Sequence, residues 1–268
     1  LAAQAFNFSN YNGGPPEDPV IYKALDKAYS LLDKSKHSVF PGSANEIRTL
    51  TENQDGILGA DIEGNLVLWD SEGNPTTVQN SGQDFYINLV WLSPDGKKML
   101  TGFENNLLII KDLRNNDQGA AELHGHKGII TAASWSDDGN FAASAGADSL
   151  ILIWNSKMLS SEPVRILKGG SAIKAITFCG NDTIISANTD GSVYLWNLEN
   201  SSLEQLIAPS DVQVLCLAYD RMRKSLIAGA SNGYLFFLDL TQRQYVLKYA
   251  AHIAGIDNLI FNNDFSLV

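Results

Sequence analysis

LVLWD (Leu66–Asp70), LIIKD (Leu108–Asp112), ILIWN (Ile151–Asn155), VYLWN (Val193–Asn197) and LFFLD (Leu235–Asp239) are one short pattern met five times along the chain. Each is an aliphatic or aromatic run that stops at Asp or Asn, which is the composition of a buried strand entering a turn. The fourth residue of each, at positions 69, 111, 154, 196 and 238, recurs every 42 or 43 residues. Such a period marks a row of like supersecondary units rather than a chance recurrence.

Outward from the third copy, the rest of one unit can be read. ITAASW (Ile130–Trp135) ends at the turn formers Ser136, Asp137, Asp138 and Gly139, and FAASAG (Phe141–Gly146) follows. A second turn at Ala147 and Asp148 leads into LILIW, and PVRILKG (Pro163–Gly169) carries the chain to the next unit. That is a set of four short strands separated by Gly- and Asp-bearing turns. One such unit cannot cover both faces of its own sheet, whereas units stacked around an axis cover one another.

The period and the Trp-Asp ending resemble those of the WD-repeat β-propeller family, over residues 43–268. The resemblance implies an all-β WD-repeat β-propeller, seven-bladed when complete. Five full repeats end near Leu240, and a sixth starts at AAHIAGIDNLIF (Ala250–Phe261). An open ring would leave sheet edges bare, so the expectation is a C-terminal truncation of roughly 60 residues or more.

The resemblance also implies a buried relay in each repeat: a His before the inner strand, a Ser or Thr on the second, an Asp in the hairpin turn and the Trp. The third repeat has the full set in His126, Ser144, Asp148 and Trp154. The fourth keeps Ser186, Asp190 and Trp196 but has Gly170 or Ser171 where the His would stand. The first, second and fifth depart further, so a firm top loop is expected chiefly in the third.

Residues 1–37 do not follow the repeat and read as a helical hairpin or linker ahead of a propeller over 38–268. LAAQAFNF reads as the end of a helix, Asn10–Pro19 as a loop, and Asp18-Pro19 as a helix start. Ile21, Leu25, Ala28 and Leu32 then share a helix face. SVF (Ser38–Phe40) is expected to supply an outer edge strand, a closure implied by the family resemblance. The words LAAQAF and PVIYKAL also resemble the connector of bacterial multidomain proteins, in which a STAND-type NTPase or caspase-like domain precedes a WD-repeat sensor. That resemblance implies an upstream NTPase or protease domain of the same polypeptide as a partner.

The net charge is −11, and the first forty residues contribute nothing to it, since four acids face four bases there. The excess therefore lies on the repeats and would repel a phosphate backbone, which argues against nucleic acid. No run approaches the roughly 18 apolar residues of a membrane span, and no membrane contact is expected. The residues name no compartment. Cys179 and Cys216 sit in apolar runs of different repeats and read as buried free thiols.

No catalytic, metal or cofactor site is expected. Gly229-Ala-Ser231-Asn-Gly233 fits a G-x-S-x-G pattern, but that motif needs a strand–turn–helix elbow and here falls between two strands. His124 and His126 lack a thiol or carboxylate at zinc spacing. Lys168-Gly-Gly-Ser171 lacks the spacing of a phosphate loop. The pair Asp137-Asp138 reads as a solvated turn.

Binding is expected where the loop before each inner strand meets the turn after the second strand, the rim at which propellers of the resembling family bind peptides. Counting from the aromatic that ends each inner strand gives Phe85, Ile87 and Glu104 in the second repeat, Ile129 and Thr131 in the third, and Lys174 and Thr189 in the fourth. Gln213, Leu215 and Ser231 follow in the fifth and Asp257 in the sixth. An apolar centre with sparse charge suits a protein or peptide partner; the alternative is that these side chains line the channel and nothing more. The functions this allows are a protein-interaction scaffold or sensor module, an autoinhibitory structural domain for an upstream effector, and, less favoured, a propeller hydrolase or lyase.

Overall fold

The computed structural model describes residues 47–53, 56–61, 65–70, 74–79, 87–113, 120–158, 160–208, 210–242, 244–257 and 259. All belong to one unit, Phe40–Val268. The expected helical hairpin over 1–37, the SVF edge strand and Phe85 lie outside the described residues. Among those residues every regular element is a strand.

Five four-stranded antiparallel sheets, the blades, follow one another along the chain, each with its strands in sequence order. Blade 1 holds β1 (Ile47–Asn53), β2 (Gly56–Asp61), β3 (Leu66–Asp70) and β4 (Pro75–Gln79). Blade 2 holds β5 (Ile87–Leu92), β6 (Lys98–Phe103), β7 (Leu108–Asp112) and β8 (Ala120–Leu123). Blade 3 holds β9 (Ile130–Trp135), β10 (Phe141–Gly146), β11 (Leu150–Asn155) and β12 (Arg165–Lys168). Blade 4 holds β13 (Ile173–Phe178), β14 (Thr183–Asn188), β15 (Val193–Asn197) and β16 (Leu203–Ile207). Blade 5 holds β17 (Val214–Asp220), β18 (Ser225–Ala230), β19 (Tyr234–Asp239) and β20 (Gln244–Ala250). The first strand of each blade lies against the first strand of the next, β1 on β5, β5 on β9, β9 on β13 and β13 on β17. That is the radial stacking of a β-propeller.

The second strands show what the stacking does. In β6, β10, β14 and β18 the first residue is half-buried and the next five are all buried. A strand covered on both faces loses the alternation of a half-solvated one. Small residues such as Ala142, Ala143 and Ala145 let the neighbouring blades approach, and they pack between clusters centred on Trp154 and on Ile173. The outer strands β12 and β16 are largely exposed, and Arg165 and Lys168 put charge on that edge, which discourages pairing with another chain.

The turns at the far end from the rim repeat a device. Ser93 donates to Asp95 (2.6 Å) and Ser136 to Asp138 (2.7 Å), and Gly96 and Gly139 follow at φ 66°, a backbone that glycine adopts without a Cβ clash. Asp137 does more than face water there: Arg221 of blade 5 reaches it at 2.8 Å, linking alternate blades.

Candidate functional site: the rim of blades 2 to 5

Among the described residues, each of the five inner strands carries one extra residue just after its first, a bulge against the second strand. The pairing skips from Ile47 to Thr49, Ile87 to Leu89, Ile130 to Ala132, Ile173 to Ala175 and Val214 to Cys216. The unpaired positions are Asn88, Thr131, Lys174 and Leu215 in blades 2 to 5. A bulge bends the strand and re-aims a side chain, so one residue per blade turns away from the ladder just below the rim. Above it, one backbone bond joins the loop before the inner strand to the hairpin turn. Ala147 N donates to Ile129 O, Thr189 N to Ala172 O and Ser231 N to Gln213 O, at 2.9, 2.8 and 2.8 Å.

This register corrects one expectation. Ile87 is not a rim residue: it is 1% exposed and packs with Leu58, Leu66 and Val90. Asn88 holds the bulge position instead. Counting back from the aromatic failed because Trp91 stands four residues after the first strand residue, whereas Trp135, Phe178 and Tyr219 stand five after theirs. Thr131 and Leu215 are at the bulge but are half-buried. Thr131 Oγ1 donates to Ile173 O at 2.6 Å, which makes it a strut between blades 3 and 4, and Leu215 lies beside Gly255. Glu104, Ile129, Lys174, Thr189, Gln213, Ser231 and Asp257 are exposed. Of these, Gln213 meets Ser231, whose Oγ accepts from the Gln213 amide at 3.2 Å, and Thr189 and Gln213 line one concavity.

Blade 3 supports its part of the rim with a complete relay. Trp154 Nε1 donates to Ser144 Oγ (2.9 Å), His126 Nε2 lies 2.8 Å from the same hydroxyl, and His126 Nδ1 lies 3.0 Å from Asp148 Oδ2. The indole can only donate and the carboxylate can only accept, so Ser144 Oγ accepts from Trp154 and the His126 ring donates from Nδ1 to Asp148. The His126 side chain is 1% exposed. Burial works against the Asp148 charge, but the Lys127 amide, the His126 ring and the Leu150 amide outweigh it and hold its pKa below 3.8. A satisfied network of this kind rigidifies what it joins.

Blade 4 keeps the Trp196–Ser186 bond at 2.9 Å but has no ring between Ser186 and the turn. Asp190 there accepts from the amide and hydroxyl of Ser192. These bonds outweigh the cost of burial and lower its pKa too. Between blades 4 and 5 the rim opens into a concavity of about 530 Å³ lined by Thr189, Asp190, Ser210, Asp211 and Gln213. Ser210 and Asp211 were missed, and Asp190 was read only as part of the fourth repeat's relay, because the positional count stops at two loop residues per repeat. Asp211, the acid in the loop before the fifth inner strand, was the available signal. Ile253 was missed as well. It is 81% exposed in the loop of the sixth repeat, one residue after His252, which stands where His126 does in the third.

The suspected chemical motifs resolve locally. Ser231 of the G-x-S-x-G pattern sits in the hairpin between β18 and β19. His124 is exposed near Glu122 while His126 is spent in the relay. Among the described residues no group of three or more His, Cys, Asp or Glu could hold a metal ion. Cys216 is buried, donates to Ile256 O and is pushed up to about 11 by desolvation; burial also raises the Cys179 thiol.

The WD domain, G-beta repeat model of the WD40 family matches residues 119–155 and 161–197, which span β8 to β11 and β12 to β15. Blades 3 and 4 thus carry the WD40 repeat match, on a fold that is a β-propeller. The ciliary WD repeat-containing protein ctxp80 of Euplotoides octocarinatus is 28% identical over 188 residues, 68% of this chain and 25% of that protein. Cell division cycle 20.4, cofactor of APC complex, of Arabidopsis thaliana is 25% identical over 254 residues, 86% of this chain and 53% of that protein. The β-propeller domain of Myceliophteria thermophila Cps50 (Swd1) has a TM-score of 0.58 at 19% identity, covering 65% of this chain and 59% of that one, a likeness of fold alone. The chain thus spans between a quarter and about half of the length of these curated relatives.

Proposed function

We propose that this propeller is a protein-recognition module of the WD40 type that binds a segment of a partner protein on the rim of blades 2 to 5 and the loop of the sixth repeat. The observation that carries the reading is Ile129, 56% exposed in the loop that the His126 relay holds. An apolar side chain on a rigid support costs little to order on binding, which is what a hot spot needs. Ile253 adds a second apolar contact, and Glu104, Lys174, Thr189, Gln213, Ser231 and Asp257 supply the polar surround. Of the expected rim residues, the ionisable Glu104, Lys174 and Asp257 lie in separate repeats, so recognition fits them better than catalysis.

The curated relatives extend well beyond the matched region, and LAAQAF and PVIYKAL resemble an effector connector. We therefore read the module as one part of a larger polypeptide, sensing a partner on behalf of an NTPase or protease domain. The test is capture of a partner by the immobilised chain. Ile129→Ala with Gln213→Ala should abolish the capture seen with the unaltered chain, with far-UV circular dichroism unchanged. Equal capture by the double variant removes the rim as the binding surface.

A further inference from the structure

Resting on that reading of the rim, we propose that the concavity between blades 4 and 5 is a subsite for a cationic side chain, a lysine or arginine presented by the bound segment. Its lining offers two carboxylates, Asp190 and Asp211, with Thr189, Ser210 and Gln213, and no cation. The wall is built from backbone. Ser210 N donates to Asp190 O at 2.9 Å, and the loop crosses the turn so closely that a Cβ at Gly191 would meet Ser210 O at 2.5 Å. Gly191, at φ 81°, is thus required both by the turn and by the crossing.

A second feature lies beneath. Asn188 pairs with Ile173 as Gly146 pairs with Ile130, so the two occupy one place in successive blades. A Cβ at Gly146 would stand 3.3 Å from His126 Nδ1 and 3.2 Å from Asp148 Oδ1. The Asn188 side chain therefore leaves its strand toward Asp190 and toward the place that the His126 ring fills in blade 3. It is 0% exposed, and neither its Oδ1 nor its Nδ2 has a hydrogen-bond partner. A buried amide without partners is an exception in folded proteins and asks for a polar group to complete it. An ammonium or guanidinium entering beside Asp190 is donor-only, and it finds in Asn188 Oδ1 an acceptor that a cation needs once it leaves water. The subsite is thus a pair of carboxylates at the mouth, with an unsatisfied buried amide behind Asp190. Blade 3 has no counterpart, because its own histidine completes the same place internally.

The probes are three blocked tripeptides, acetyl-Gly-Lys-Gly-amide, acetyl-Gly-Arg-Gly-amide and the norleucine analogue, titrated into the ¹⁵N-labelled chain. The lysine or arginine peptide should shift the Thr189, Ser192 and Gln213 amides, the Asn188 side-chain amide and the Trp196 indole. The norleucine peptide should leave them in place. Asp211→Asn, an exposed change, should weaken the effect roughly two- to five-fold, the range for an exposed charge pair. Asn188→Gly should leave the Thr189 and Gln213 shifts but weaken binding. Shifts from norleucine equal to those from lysine, or shifts confined to other blades, overturn the subsite. Cation binding here with partner capture unaffected by the Ile129 and Gln213 changes would sink the recognition reading and leave the subsite standing. The reverse result would remove the subsite alone.

Discussion

Ser144 is the residue on which most depends, since a single hydroxyl serves both the Trp154 indole and the His126 ring. Ser144→Ala leaves a buried donor and a buried ring nitrogen without partners and should cost about 2–3 kcal/mol in urea denaturation with an unchanged slope. Ser186→Ala in blade 4 strands only the Trp196 indole and should cost about 1–2 kcal/mol. Equal losses would mean that the histidine adds nothing to blade 3. These four relay positions were legible because the spacing of each from the Trp is fixed by strand length. What the spacing did not carry is the consequence for blade 4. Asn188 gains meaning only from its register with Gly146, and register is a property of the paired sheet.

At the scale of the element, the inner strand decides which side chains reach the rim. Alternation alone fails there, because the bulge inserts a residue and reverses the side-chain order at the strand start. The aromatic Trp91 then misdirected the count by one residue in the second repeat. Ile87→Ala should accordingly act on stability and not on recognition. It should lose about 2–5 kcal/mol in denaturant unfolding, as core isoleucines do, while Asn88→Ala and Glu104→Ala change stability by less than about 1 kcal/mol. A stable Ile87→Ala chain with weakened partner capture would contradict this placement. The second strands teach the complementary point. FAASAG alternates poorly in sequence because both of its faces are buried, and weak alternation was itself the trace of blade stacking.

For the whole molecule, the excess acid on the repeats matters more than any one pair. Net charge −11 makes a field that draws basic partners and repels acidic ones. Raising sodium chloride from about 50 to 300 mM should slow association with a rim partner several-fold and leave dissociation nearly constant, since screening acts mainly on encounter. Surface plasmon resonance separates the two rates, and a salt-independent association rate would deny the field a part in recognition. The same stacking that spreads this charge also ties the blades together through single contacts, such as Thr131 to Ile173 O and Lys98 to the carbonyl of Ser156. None of these is visible in a repeat taken alone.

The chain's own order of residues settled the repeat, its strand count and the one complete relay, because these depend on spacings within about forty residues and on which side chains donate or accept. The tertiary structure decided which residues face water at the rim, where the bulge falls, and that Asp190, Ser210 and Asp211 of adjoining blades share one concavity. Those facts arise from contacts between blades, and a periodic sequence specifies its period far more plainly than the fit of each copy against the next.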